Sequence, residues 1–208
     1  MTVQFIDVSN HQGVINWGQV KEAGKRGAFI KATEGIDFKD AFFPQNWAHA
    51  AQQELWRGAY HFARPGRGPS GADEAHFFCD SVLSFPVLPG DMYVIDLEEG
   101  PPDADLGAYL LDWCQTVESR THVKPLIYSA VNMLMHWKAF NRDDLAAYGL
   151  WLAAPGTTTI PAPPAKWSVT AFHQFDWFGR VPGVDGNCDL DVFNGDEKAL
   201  AKYGVPGA

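Results

Sequence analysis

Eight short apolar runs, rich in β-branched and aromatic residues and flanked by turn residues, recur along the chain. They are VQFIDVS (3–9), AFIKAT (28–33), RGAYHF (57–62), MYVIDLE (92–98), PLIYSA (125–130), LWLAA (150–154), TAFHQF (170–175) and CDLDVF (188–193). Runs of this length and composition predict strands. Between the first six, the polar–apolar pattern switches to helical spacing over 17–26, 40–56, 70–83, 103–121 and 131–140, with Asn16 as an N-cap for the first. The pattern then changes. Residues 155–167, PGTTTIPAPPAKW, hold four prolines and exclude a helix, and 179–187, GRVPGVDGN, is turn chemistry. Five βα units followed by three strands predict an α/β fold, a TIM-like (β/α)5(β)3 barrel. It is read as a single catalytic domain over 1–208 with a short helix at 197–203. No repeat, linker or separate second module is read.

Composition narrows the function. The 208 residues are 46% hydrophobic and 13% aromatic, which excludes a disordered chain. No apolar run approaches the ~20 residues of a membrane helix. The net charge of -9, with no basic patch, argues against nucleic acid as a partner. Cys79, Cys114 and Cys188 have no CxxC or Cys/His neighbours, so buried free thiols are expected and zinc is not. No metal, no cofactor, no membrane partner and a monomer are expected. Met1 leads at once into a strand-like run, so no signal peptide is read.

Barrel active sites lie at the C-terminal strand ends. Those ends carry Asp7, then Lys31 and Glu34, then Tyr60 and His61, then Asp96 and Glu98, then Tyr128. The later strands add Trp151, Gln174 and Asp189, the last of these early in its strand. Asp96 and Glu98, in VIDLE, are the sharpest feature. Side chains two apart on a strand share a face, with Cα atoms about 6.5–7 Å apart. One carboxyl kept protonated and one kept anionic is the requirement of glycoside hydrolysis. The plain alternative is a solvated pair at a strand end. Tyr60, Tyr128 and Trp151 are expected either to contact sugar or to pack the barrel. Lys31 is expected to pair with a rim carboxylate or to hold a substrate carbonyl, and His61 to orient a carboxylate or cap its strand. His11 is read as structural or surface. Two other functions compete: a metal-dependent barrel hydrolase using Asp7, Glu34, His61 and Asp96, and a non-catalytic wall-binding barrel.

The pieces DVSNHQG (7–13), IKATEG (30–35), GAYHFAR (58–64), DLE (96–98), PLIYS (125–129), FHQF (172–175) and GNCDLDVF (186–193) stand in one order across the chain. In them the chain resembles the glycoside hydrolase family 25 lysozymes, N-acetylmuramidases of phages, bacteria and some fungi. The resemblance implies a β5α5β3 barrel that cuts the β-1,4 bond between N-acetylmuramic acid and N-acetylglucosamine in bacterial peptidoglycan with retention. It implies Glu98 as the acid and Asp96 as the second catalytic carboxylate. Asp7 and Asp189 match two further family aspartates, expected to act as electrostatic neighbours that keep Glu98 protonated. The DxE spacing resembles that of hydrolases whose substrate supplies its own 2-acetamido nucleophile. Asp191 stands where the family commonly has asparagine. His173, Gln174 and Phe175 replace a usual Trp-Gln-Tyr, which removes the aromatic pair expected to stack on sugar from this strand. The resemblance also implies a phage endolysin-like protein, held in the host cytoplasm until released to the wall, or carried on a virion.

Overall fold

The computed structural model describes residues 2–101, 105–164 and 166–207. Within them the chain runs β1 (Val3–Val8), α1 (Trp17–Glu22), β2 (Gly27–Glu34), β3 (Phe38–Lys39), α2 (Phe43–Gln52), β4 (Trp56–Phe62), α3 (Gly71–Val82), β5 (Met92–Asp96) and α4 (Leu106–Thr121). It continues through β6 (Leu126–Ala130), α5 (Val131–His136), β7 (Gly149–Ala153), β8 (Phe172–Gly179), β9 (Cys188–Phe193) and α6 (Glu197–Leu200). The strand order is β1-β9-β8-β7-β6-β5-β4-β2-β3, and β1 also pairs with β2. That last pairing closes an eight-stranded barrel and leaves the two-residue β3 as an appendage on β2. All eight expected strands are present, and the (β/α)5(β)3 barrel expected from the pattern is the fold.

Alternation builds two cores from one set of strands. Phe5, Phe29, Met92, Val94, Leu126, Phe172 and Phe193 point into the barrel. Ile6, Ile30, Ile95, Ile127 and Leu150 point outward beneath the helices. The interior is aromatic, and two glycines make room for it. A Cβ on Gly27 would overlap the ring of Phe5, and one on Gly58 the ring of Phe29.

The helices are shorter than the pattern predicts, as their caps explain. Ser70 and Asp73 form a capping box that starts α3 at Gly71. The Asp105 side chain accepts from Ala108 N and starts α4, so the helix predicted from 103 begins later; residues 103 and 104 lie outside the described residues. The helix predicted over 131–140 breaks at Trp137, whose extended backbone separates α5 from a single 3-10 turn at Lys138–Phe140. No described helix is long and apolar enough to cross a membrane. The three cysteines are buried free thiols.

The closing strand decides the site. β1, β2 and β4 to β8 run parallel around the barrel, whereas β9 runs antiparallel to both β8 and β1. Its N-terminal end therefore lies on the rim where the other strands end. Asp189, early in β9, pairs directly with Asp7, late in β1.

Candidate active site

The rim opens onto a cleft of about 250 Å3. On β5, Met92 and Val94 face the interior while Tyr93 and Ile95 face the helices, so Asp96 faces the cleft. Leu97 again packs outward, and Glu98 continues the alternation past the strand end into the cleft. Both carboxylates of the DxE pair therefore line it. The same rule brings in Asp7, Lys31, Tyr60, Tyr128, Gln174 and Asp189.

Gln174 organises the wall formed by the first and last strands. Its Nε2 donates to Asp7 Oδ2 (2.7 Å) and to Asp189 Oδ2 (3.2 Å). Its Oε1 accepts from the Tyr128 hydroxyl (2.8 Å) and from the indole N–H of Trp177 (2.7 Å). An indole nitrogen only donates, so the amide orientation is fixed, and all four hydrogen-bonding positions of the side chain are filled. Asp191 lies one layer below Asp189, fully buried, and accepts from Trp151 Nε1 (2.8 Å). Asp189 lines the cleft, whereas Asp191 lies beneath its floor.

Burial and mutual repulsion act on these carboxyls together. Asp96 is 7% exposed. Burial, then Glu98 and Asp7, push its pKa well above the ordinary carboxylate range, while Lys31 and Arg64 oppose the rise. Asp7 is pushed up by burial and Asp191 against the hydrogen bond from Gln174. Burial raises Asp189 and Asp191 from 3.8 to about 8 each, Asp7 adding to the first and Asp189 to the second. The folded protein thus keeps protons that the unfolded chain has released. This stabilisation is complete below about pH 4 and is lost as pH rises through about 8. Burial lowers the pKa of His61 and His173 from 6.5, so their opposing contribution is confined to about pH 7.5 and below. The melting temperature is expected to fall by roughly 3–6 °C between about pH 6.5 and 8.5, a range reduced because solvent reaches Asp189. The Asp191→Asn variant is expected to flatten that slope. A wild-type melting temperature constant across the window contradicts this electrostatic account.

Two expected site residues lie elsewhere. His61 is fully buried on the outer side of β4, because its neighbour Tyr60 takes the inward position. Its Nε2 meets Glu74 Oε2 (2.7 Å) and its Nδ1 meets Thr33 Oγ1 (2.8 Å), so it joins α3 to the barrel wall and touches no cleft. Glu34 does not line the cleft either. It is held by Lys31 (2.7 Å) and Arg64 (2.6 Å) as a brace on the rim. A register shift in β2 between Lys31 and Thr33 brings Glu34 round to the side of Lys31. With His61 and Glu34 turned away, the four ligands of a metal-dependent hydrolase do not converge. Trp151 is 2% exposed, stacked on Phe29 (ring centroids 4.1 Å apart), and forms part of the cleft floor.

Two residues gain a place. His11, read as structural or surface, lines the cleft from the turn after β1. Trp177, outside the predicted strand, is 44% exposed with its N–H tied to Gln174. It supplies an exposed aromatic on the strand where the usual Trp and Tyr are missing.

The sequence profile of glycosyl hydrolases family 25 matches residues 6–184. The chain belongs to this family. It is a glycosidase, with lysozymes and muramidases among its relatives. It is 34% identical to Lysozyme M1 of Streptomyces globisporus over 210 residues, covering 95% of this chain and 70% of that one. It is 28% identical to the N,O-diacetylmuramidase of Arthroderma benhamiae, covering 99% and 88% of the two chains. The crystal structure of the bacterial lysozyme from Streptomyces coelicolor superposes with a TM-score of 0.87 at 32% identity, covering 98% and 97%. The profile match ends ahead of β9, so the choice of Asp189 over Asp191 rests on the cleft geometry of this family 25 barrel.

Proposed function

We propose that this protein is a muramidase that hydrolyses the β-1,4 bond between N-acetylmuramic acid and N-acetylglucosamine of bacterial peptidoglycan, with retention and with the substrate's 2-acetamido group as nucleophile. Glu98 gives its proton to the glycosidic oxygen as the C1–O bond breaks, and the acetamido oxygen bonds to C1. With the proton of the interacting Asp96–Glu98 pair held on Glu98, Asp96 as the anion accepts the acetamido N–H and offsets the positive charge that develops on that group. Glu98, now a carboxylate, takes a proton from water, which attacks C1 from the face the leaving group left and breaks the bond between C1 and the acetamido oxygen, restoring the neutral acetamido group.

The observation that carries this reading is Asp96 Oδ1. It is a buried carboxylate oxygen without a hydrogen-bond partner among the described residues, on a side chain lining the cleft. A buried acceptor left empty is costly unless a ligand fills it, and an amide N–H of the substrate is suited to do so. Trp177 offers a flat apolar face, with its polar edge already satisfied, against which a pyranose ring can lie. Mass spectrometry of digested peptidoglycan tests the assignment. Fragments with N-acetylmuramic acid at the reducing end are expected, and fragments ending in N-acetylglucosamine overturn it.

A further inference from the structure

We propose that Arg64 is a positioning residue for Glu98, acting through Glu99. The inference rests on the reading of Glu98 as proton donor.

Glu98 follows the end of β5, so the strand ladder does not fix it. The chain is instead pinned on either side. Before it, Leu97 N donates to Tyr128 O (3.1 Å), and Leu97 O accepts from the Ser129 hydroxyl (2.7 Å). After it, the Glu99 carboxylate is held by Arg64 Nη1 (2.5 Å). Glu98 is the single residue between these two anchors.

The second anchor is itself preset. Two of the three guanidinium nitrogens of Arg64 are committed to Glu34 Oε1, Nη2 at 2.6 Å and Nε at 2.8 Å, which leaves Nη1 for Glu99. The guanidinium lies 4.4 Å from the centroid of Phe62. Its backbone N–H donates to Glu74 Oε2 (3.1 Å), the oxygen that also meets His61. Lys31, a cleft residue, holds the other oxygen of Glu34 and lies 4.8 Å from the centroid of the same Phe62 ring. The brace thus runs from β2 through the end of β4 to the segment after β5. Glu99 is 46% exposed. An ion pair that open adds little to stability, and its place beside the donor gives it another use. Donors of this kind are sensitive to placement: a shift of about 1 Å can cost on the order of 100-fold in rate.

The test compares two substrates. With peptidoglycan fragments, Arg64→Ala and Glu99→Gln are each expected to lower kcat about 10–100-fold with KM changed less than about twofold. The double variant is expected to be no worse than the poorer single one, since both remove the same anchor. Arg64→Lys is expected to recover part of the loss. With an aryl glycoside of the same sugar, whose phenolate leaves without a proton, the single variants are expected to retain most of the wild-type rate. Equal losses on both substrates, or no loss on peptidoglycan fragments, overturn the proposal. Glu98→Gln run alongside separates the two readings. If it cleaves the natural substrate at the wild-type rate, the donor assignment itself fails. If it is inactive while Glu99→Gln is unaffected, only the positioning role fails.

Discussion

Glu98→Gln is expected to lose about 100-fold to 10,000-fold in the release of reducing ends from peptidoglycan, the usual contribution of a placed general acid. The amide matches the carboxyl in size and still accepts hydrogen bonds, but it has no proton to give to the glycosidic oxygen. Glu98 stands at the cleft past the end of β5, outside both hydrophobic cores. The melting temperature is therefore expected to stay within about 1–2 °C of wild type. Reducing-end assays beside a thermal melt check both halves. Near wild-type clearing of cell walls by the variant would falsify the role.

Asp96→Asn is expected to separate activity from stability. Its activity should fall about 100-fold to 1,000-fold, because a neutral amide does not offset charge developing on the acetamido group. Its melting temperature should rise, because a buried carboxyl among Glu98 and Asp7 is held there against desolvation and like charge. A variant that loses both activity and stability would point to a structural role for Asp96. Stereochemistry gives an independent check. Product NMR should report retention, and intact-mass analysis with a fluorinated substrate should find no glycosyl adduct on Asp96. Inversion rules out the acetamido route, and an adduct replaces it with direct attack by Asp96.

The fold was legible because its strands carry one rule each. VQFIDVS and MYVIDLE read as strands from composition, and their alternation already contains both cores and the inward aspartates. The same rule placed Asp7, Asp96 and Glu98 on one face. Applied to the adjacent pair Tyr60 and His61, it allows only one of them into the cleft. Other features needed three dimensions. The register shift in β2 that turns Glu34 toward Lys31 has no local signature in IKATEG. Trp177 carries no strand signal in the sequence because β8 runs on to Gly179 through two register irregularities, past the end of the apolar pattern. The antiparallel course of β9 was hidden as well. A strand-end rule written for parallel strands passes over Asp189 unless the direction of its strand is known.

That reversed last strand has a consequence for the birth of the enzyme. Asp7 is synthesised well before Asp189, yet they face each other in register. Gln174, which bridges them, also comes late. A nascent chain that has made seven of the barrel strands still has open edges on β1 and β8 and only part of its cleft. The cleft is completed by the same ladder that closes the barrel, so partly made or partly folded copies are without it. Activity is thereby tied to a chain made and folded through β9, and its appearance serves as a clock for ring closure.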